Sequence, residues 1–127
     1  MNVLLFCATW SKPETVVNGI LDDRDCGLLQ LANGDLVLFW FTSVAFKELD
    51  WYMKDAGWWK PEFGRIFDKL DKTRARIELG AFSMRSTDGG KSWEPKVRIP
   101  ARTPHGGIQL KDGRLLYVGM QDHATRG

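Results

Sequence analysis

An all-β fold is predicted by three features: two stretches that superpose without a gap, an apolar–turn–apolar pattern inside each, and a glycine-rich turn between them. The first stretch, CGLLQLANGDLVLFWF from Cys26, matches the second, HGGIQLKDGRLLYVGM from His105, at a constant offset of 79 positions. Gly27 meets Gly106, Gln30 meets Gln109, Leu31 meets Leu110, Gly34 meets Gly113 and Leu36 meets Leu115. A repeat at fixed spacing marks one structural unit used twice.

Along the chain, the run VLLFCA from Val3 to Ala8 reads as a strand, since it lacks a basic flank and is far shorter than the roughly 18 residues of a membrane span. Inside each repeat an apolar run ends in Asn33-Gly34 or Asp112-Gly113 and a second apolar run follows, which predicts a tight antiparallel hairpin. Leu36, Val37, Leu38, Phe39, Trp40 and Phe41 are apolar on both sides of the alternation, as in a strand covered on both faces.

A further strand pair is predicted from Ile77 to Arg85 and from Trp93 to Ile99, joined by SMRSTDGGKSW. That turn follows the pattern SxDxGxxW, with Ser86, Asp88, Gly90 and Trp93 at its fixed places. Asp88 and Ser86 suit bonds within the turn, the glycines suit unusual dihedrals, and Trp93 suits packing over the hairpin. Two pairs of strands make a four-stranded antiparallel meander, and such units repeated radially build a β-propeller. The predicted organisation is one incomplete propeller domain over 1–127. Its blade core covers 24–43 and 77–99, an insertion covers 44–76, and the next blade starts at 103–122. Propellers need about four to eight blades, so the remaining ones are expected from a longer chain or from self-association.

The insertion is rich in aromatics, with Phe46, Trp51, Tyr52, Trp58, Trp59 and Phe63. In its second half, RIFDKLDKTRAR, Ile66, Phe67 and Leu70 share a helical face. Pro61 stands near the start, where a helix tolerates it. An insertion of this kind either buries its own tryptophans or builds a rim over a pocket, with Trp58 and Trp59 as stacking surfaces for sugar.

Composition narrows the partners. With 18 basic and 16 acidic residues the formal charge is +2, too small to point to nucleic acid or an anionic membrane. Cys7 and Cys26 form no disulfide framework or CxxC knuckle and read as buried thiols. His105 and His123 have no acidic partner at metal-motif spacing, so neither metal nor cofactor is expected.

The stretch MRSTDGGKSWEPKVRI resembles the Asp-box, or BNR repeat, of the sialidase (neuraminidase) superfamily, whose members are six-bladed β-propellers. RDCGLLQLANGDLVLFW is similar to the first-blade pattern of that family, in which an arginine precedes Ile-Pro and a hairpin glycine follows ten residues later. Arg24 and Gly34 keep the spacing, while Asp25 and Cys26 stand in place of Ile-Pro. The resemblance covers roughly Arg24 to Gly119, apart from the insertion.

The resemblance implies an exo-α-sialidase type of glycoside hydrolase acting on terminal acidic sugars of glycans. A planar guanidinium matches a sugar carboxylate bidentately, which makes Arg24 the substrate-binding candidate. Asp23 and Asp25 flank it as candidates to orient the guanidinium or to act as acid/base, and spacing does not choose between them. Asp22 reads as solvated. In the second repeat, Arg102, His105 and the Gly106-Gly107 pair form a candidate binding loop, with Gln121, Asp122 and His123 at a rim. The family's tyrosine nucleophile and further arginines come mostly from later blades; Tyr52 belongs to the insertion and Tyr117 to a packed strand. Asp-box propellers also bind glycans or proteins without turnover, which is the alternative reading.

Overall fold

The computed structural model describes residues 11–44 and 69–121. The strand read at 3–8, the aromatic part of the insertion and the pair Asp122 and His123 lie outside the described residues. Four strands form the main sheet: β1 (Asp22–Gln30), β2 (Leu36–Ser43), β3 (Ala81–Ser86) and β4 (Val97–Ile99). They lie in the order β1-β2-β3-β4, each neighbour antiparallel, with a short helix α1 (Lys72–Glu78) between β2 and β3. Four two-residue strands follow: β5 (Ala101–Arg102), β6 (Ile108–Gln109), β7 (Leu115–Leu116) and β8 (Met120–Gln121), pairing as β5–β8 and β6–β7. The all-β expectation holds, with the sequence repeat written twice in strands.

The two hairpin turns are copies of each other. In the first, the Leu31 N–H donates to Asp35 O at 2.8 Å and the Gly34 N–H to Leu31 O at 2.9 Å. Leu110, Arg114 and Gly113 repeat both bonds at 2.8 and 2.9 Å. Gly34 and Gly113 have φ of 93° and 88°, whereas Asn33 and Asp112 do not enter the left-handed region. Each loop is therefore a turn closed by a left-handed glycine at its last position, the hairpin form with a glycine bulge. The side chain before each glycine ties the loop: Asn33 Oδ1 accepts from the Asp35 N–H, and Asp112 Oδ1 from the Arg114 N–H, both at 3.1 Å.

Away from the turns the repeats diverge. In β1 the register slips between Arg24 and Gly27, so that Asp25 and Cys26 together oppose Trp40. Asp25 has φ 47°, the one non-glycine residue in the left-handed region among those described. This is a β-bulge, which bends the strand and re-aims its side chains. In the second repeat the same place holds Thr103-Pro104-His105-Gly106-Gly107, and no ladder forms there. Pro104 lacks an N–H, so the long strand splits into β5 and β6.

Packing centres on β2. Val37, Phe39 and Phe41 are buried on one face together with Ala81, while Trp40 and Phe82 meet on the other at 5.5 Å between rings. The second repeat lies on the first of these faces. Tyr117 stacks on Phe39 at 4.9 Å, and the Arg102 guanidinium lies over the Phe41 ring at 5.9 Å. A Cβ built on Gly27 would fall on the backbone N and Cα of Gly106, so the repeats touch main chain to main chain at equivalent glycines. Gln109 completes the joint: its Oε1 accepts from the Ala32 N–H at 2.7 Å, and its Nε2 donates to Gly113 O at 3.2 Å.

The turn between β3 and β4 closes on itself. Ser86, only 1% exposed, donates to Asp88 Oδ1 at 2.8 Å and accepts from the Gly90 N–H at 2.8 Å. Asp88 also accepts from the Ser92 N–H at 2.9 Å and the Ser92 hydroxyl at 2.6 Å. Gly89 and Gly90 have φ of 74° and 91°, and Trp93 Cζ2 lies 3.9 Å from where a Cβ on Gly90 would stand. The four residues of the SxDxGxxW pattern thus act together as a turn lock.

Three boundaries differ from the expected ones. Ile77, read as the start of a strand, lies 65% exposed in the last turn of α1, and β3 begins at Ala81. The cause is a cap: Asp71 Oδ1 accepts from the N–H groups of Thr73 and Arg74 at 2.7 and 3.3 Å, starting a helix there. Arg98 donates to Leu79 O and Ile77 O and so satisfies the helix's far end. The helix read over RIFDKLDKTRAR is accordingly Lys72–Glu78 among the described residues, with Ile66 and Phe67 outside them. The strand read from Trp93 begins only at Val97, because Trp93 belongs to the turn.

Candidate functional site

The bulge in β1 opens one wall of a cleft of about 390 Å³. Asp23, Arg24, Asp25 and Cys26 form that wall, Leu38 and Trp40 of β2 lie beneath, and residues 14–17 make the opposite wall. Three of the residues singled out in the sequence, Asp23, Arg24 and Asp25, therefore share one cavity.

Their partners separate their roles. Arg24 is paired with Asp22, Nε to Oδ2 at 3.3 Å, with both side chains partly exposed. Asp22, at the start of β1, is half-buried and ion-paired rather than solvated as expected. Burial raises its pKa, with Asp23 and Asp25 adding to the rise and Arg24 opposing it. Asp23 accepts from the Gly19 N–H at 2.6 Å and so pins the segment that forms the opposite wall. Asp25 has no hydrogen bond to its carboxylate among the described residues, which leaves it the acid of this wall with open valences. Cys26 is exposed, contrary to the buried thiol expected, since the bulge displaces it from the pleat.

No residue of the second repeat lines the cleft, although its backbone lies beside the bulge. The His105 carbonyl carbon lies 3.1 Å from the position of a Cβ on Gly27, next to the bulge, and the His105 N–H donates to Thr103 Oγ1 at 3.3 Å. His105 itself is exposed and does not line the cleft. Arg102 lies over Phe41, and its Nε is buried with no hydrogen-bond partner, so it serves the joint between repeats. Tyr117 is likewise a packing residue, its pKa pushed up by burial. Gln121 ends β8 in an exposed position, and Trp58 and Trp59 lie outside the described residues.

Two features of the cleft had no legible signal. Residues 14–17 carry no periodicity that would bring them over β1, and Asp22 looked like one of several charges in DDRD. The electrostatic character follows from both. Glu14, Asp23 and Asp25 stand against Arg24 alone on the walls, and Arg24 already shares its charge with Asp22. A ligand carboxylate here would have to join or displace Asp22 at the guanidinium, whereas hydroxyl groups meet carboxylate acceptors on both walls, from Glu14 on one and Asp23 and Asp25 on the other.

No family model matches this sequence, and no curated protein matches it. Among solved structures, it is similar to a protein of unknown function from Dyadobacter fermentans DSM 18053, with TM-score 0.53 and 23% identity. The likeness covers 86% of this chain and 32% of that one, so this chain spans about a third of that protein's length. At this identity the likeness concerns the fold alone.

Proposed function

We propose that this chain supplies adjoining repeats of a sialidase-like β-propeller and that the Arg24 cleft takes the terminal acidic sugar of a glycan for hydrolysis. The observation that carries the reading is the meeting of equivalent repeats at Gly27 and Gly106, with an arginine on the bulged strand beside that contact opening into a cleft. Arg24 binds the sugar carboxylate through the guanidinium edge that Asp22 leaves free, and Asp25 is the acid/base candidate. The Ser86–Trp93 turn, by its internal bonding, fits the Asp-box role of locking an outer strand pair.

Binding without turnover is favoured by a different observation, the excess of carboxylates on the cleft walls, which suits a neutral sugar held by its hydroxyls. One experiment separates the two. Fluorophore release is measured from a sialoside and from neutral glycosides, alongside glycan binding, for the wild type and for Arg24→Ala and Asp25→Asn. Hydrolysis of the sialoside that falls with both substitutions supports the first reading. Binding of neutral glycans with no release supports the second. Sialoside cleavage unaffected by Arg24→Ala would remove Arg24 from the site.

A further inference from the structure

Residues 14–17 face the cleft, and residues 17–20 line a second pocket of about 240 Å³, bounded by Arg74 and Glu78 of α1 and by Lys96 just before β4. Val17 belongs to both cavities, and the Asp23 bond to the Gly19 N–H fixes the segment between them. The two differ in charge. Carboxylates outnumber Arg24 in the cleft, whereas in the pocket the cations Arg74 and Lys96 stand against Glu78 alone. The Arg74 guanidinium makes no hydrogen bond or ion pair among the described residues, so its fork of donors is open. Lys96 is held in place: its ammonium pairs with Glu78 Oε2 and lies over the Phe82 ring, 4.6 Å from the centroid. An ammonium has more donors than these two contacts use. Asn18 lines the same pocket, and its carboxamide is also without a hydrogen bond among the described residues. Bare carbonyls at the end of α1 would repel an anion. Here Ile77 O and Leu79 O accept from Arg98 at 2.6 and 2.7 Å, and Glu78 O accepts from the Thr42 hydroxyl at 2.7 Å.

We infer that this pocket is an anion-binding site that takes an oxyanion, a carboxylate or a sulfate group, between Arg74 and Lys96. The guanidinium offers paired donors to two oxygens of the group, and the ammonium adds a point charge. Glu78 is a positioning residue: it orients Lys96, and its own charge opposes the ligand. The volume is below the roughly 300 to 1,000 Å³ of pockets that enclose a whole small molecule, so the site takes the charged group and leaves the rest of the ligand outside. Such a group arrives either as a free inorganic ion or as a substituent of a glycan. A glycan that extends from the cleft reaches the pocket past Val17, which lines both. The inference stands on Arg74 and Lys96 and is independent of whether the Arg24 cleft binds or cleaves a sugar.

Titration with sodium sulfate followed by amide NMR tests it, with ionic strength held constant by sodium chloride so that general screening does not change. Saturable shifts should appear at the backbone amides of residues 18–20 and at the Arg74 side chain. Arg74→Gln keeps a good helix former at an exposed position and should weaken sulfate binding about fivefold or more. Glu78→Gln retains an oxygen that accepts from Lys96 but loses the opposing charge, and should tighten binding about twofold. Lys111→Gln removes one positive charge at the second hairpin turn, outside the pocket, and should leave binding unchanged. The amide spectrum of each unbound variant verifies that it folds. The same titration with a sulfated disaccharide separates the two sources. Binding about tenfold tighter than that of inorganic sulfate identifies a glycan substituent, equal or weaker binding a free ion, and either outcome upholds the pocket. Shifts that do not saturate, or a loss with Arg74→Gln no larger than that with Lys111→Gln, overturn the inference.

Discussion

The first and second repeats share a turn to within 0.1 Å in its hydrogen bonds, yet β1 and β2 are long and their inner face is buried, whereas β5 to β8 are two-residue pieces with an open face. The difference lies in what covers each hairpin and in one residue at the bulge. Asp25 accepts a left-handed backbone and lets the ladder resume after a single slip; Pro104, at the equivalent position, withholds a donor and ends it. Local turn chemistry and strand continuity are thus set by separate residues, and burial is set by neighbours.

The largest effect should come from breaking the covered member of an equivalent pair. Phe39→Ala removes the ring stacked between Tyr117 and the main sheet and should cost about 3 to 5 kcal/mol. Val118→Ala, at the matching position of the second repeat, should stay within about 0.5 kcal/mol in the monomer. Chemical denaturation of both variants measures the contrast, and equal losses would mean that the second repeat is already covered. Next comes the glycine contact. Gly27→Ala drives a methyl into the Gly106 main chain, which cannot swing aside, and should cost about 1 to 3 kcal/mol; Gly106→Ala meets its neighbours at 3.3 and 3.4 Å and should cost less.

Gly34→Ala and Gly113→Ala sharpen the likeness instead of the difference. Both positions have open space and positive φ, so each substitution should cost about 1 kcal/mol through backbone strain alone, and by the same amount. The smallest effect concerns acid. The Ser92 hydroxyl and N–H, then the Ser86 hydroxyl, pull the Asp88 pKa down to about 2. An unfolded aspartate titrates near about 3.9, so this contribution is fully present above about pH 4 and is lost as pH falls toward about 2. Melting temperature followed across that range should decline in the wild type more steeply than in Asp88→Asn, which has no carboxylate to protonate.

Much of this arrangement was legible in the residues. The Asn-Gly and Asp-Gly pairs announced the two hairpins, the gap-free match announced the repeat, and Ser86, Asp88, Gly90 and Trp93 announced a turn, because in each case neighbouring residues carry the whole signal. The bulge was not legible, since aspartate seldom takes positive φ and nothing in DDRDCG demands it. Ile77 looked like strand because it is apolar, and a cap six residues earlier decided otherwise. The cleft was half legible: Arg24 with its flanking acids stood out, but the wall at residues 14–17 and the commitment of Asp22 to Arg24 are long-range outcomes of packing.

The turn between β3 and β4 also bears on the order in which the chain folds. Its outermost bond, from the Glu94 N–H to Arg85 O at 2.8 Å, joins residues nine positions apart. The connection from Ser43 to Ala81, which must close before β2 can pair with β3, is roughly four times as long and costs about 1 kcal/mol more in closure entropy. Closure entropy therefore favours each local hairpin, inner and outer, over the long connection that joins them.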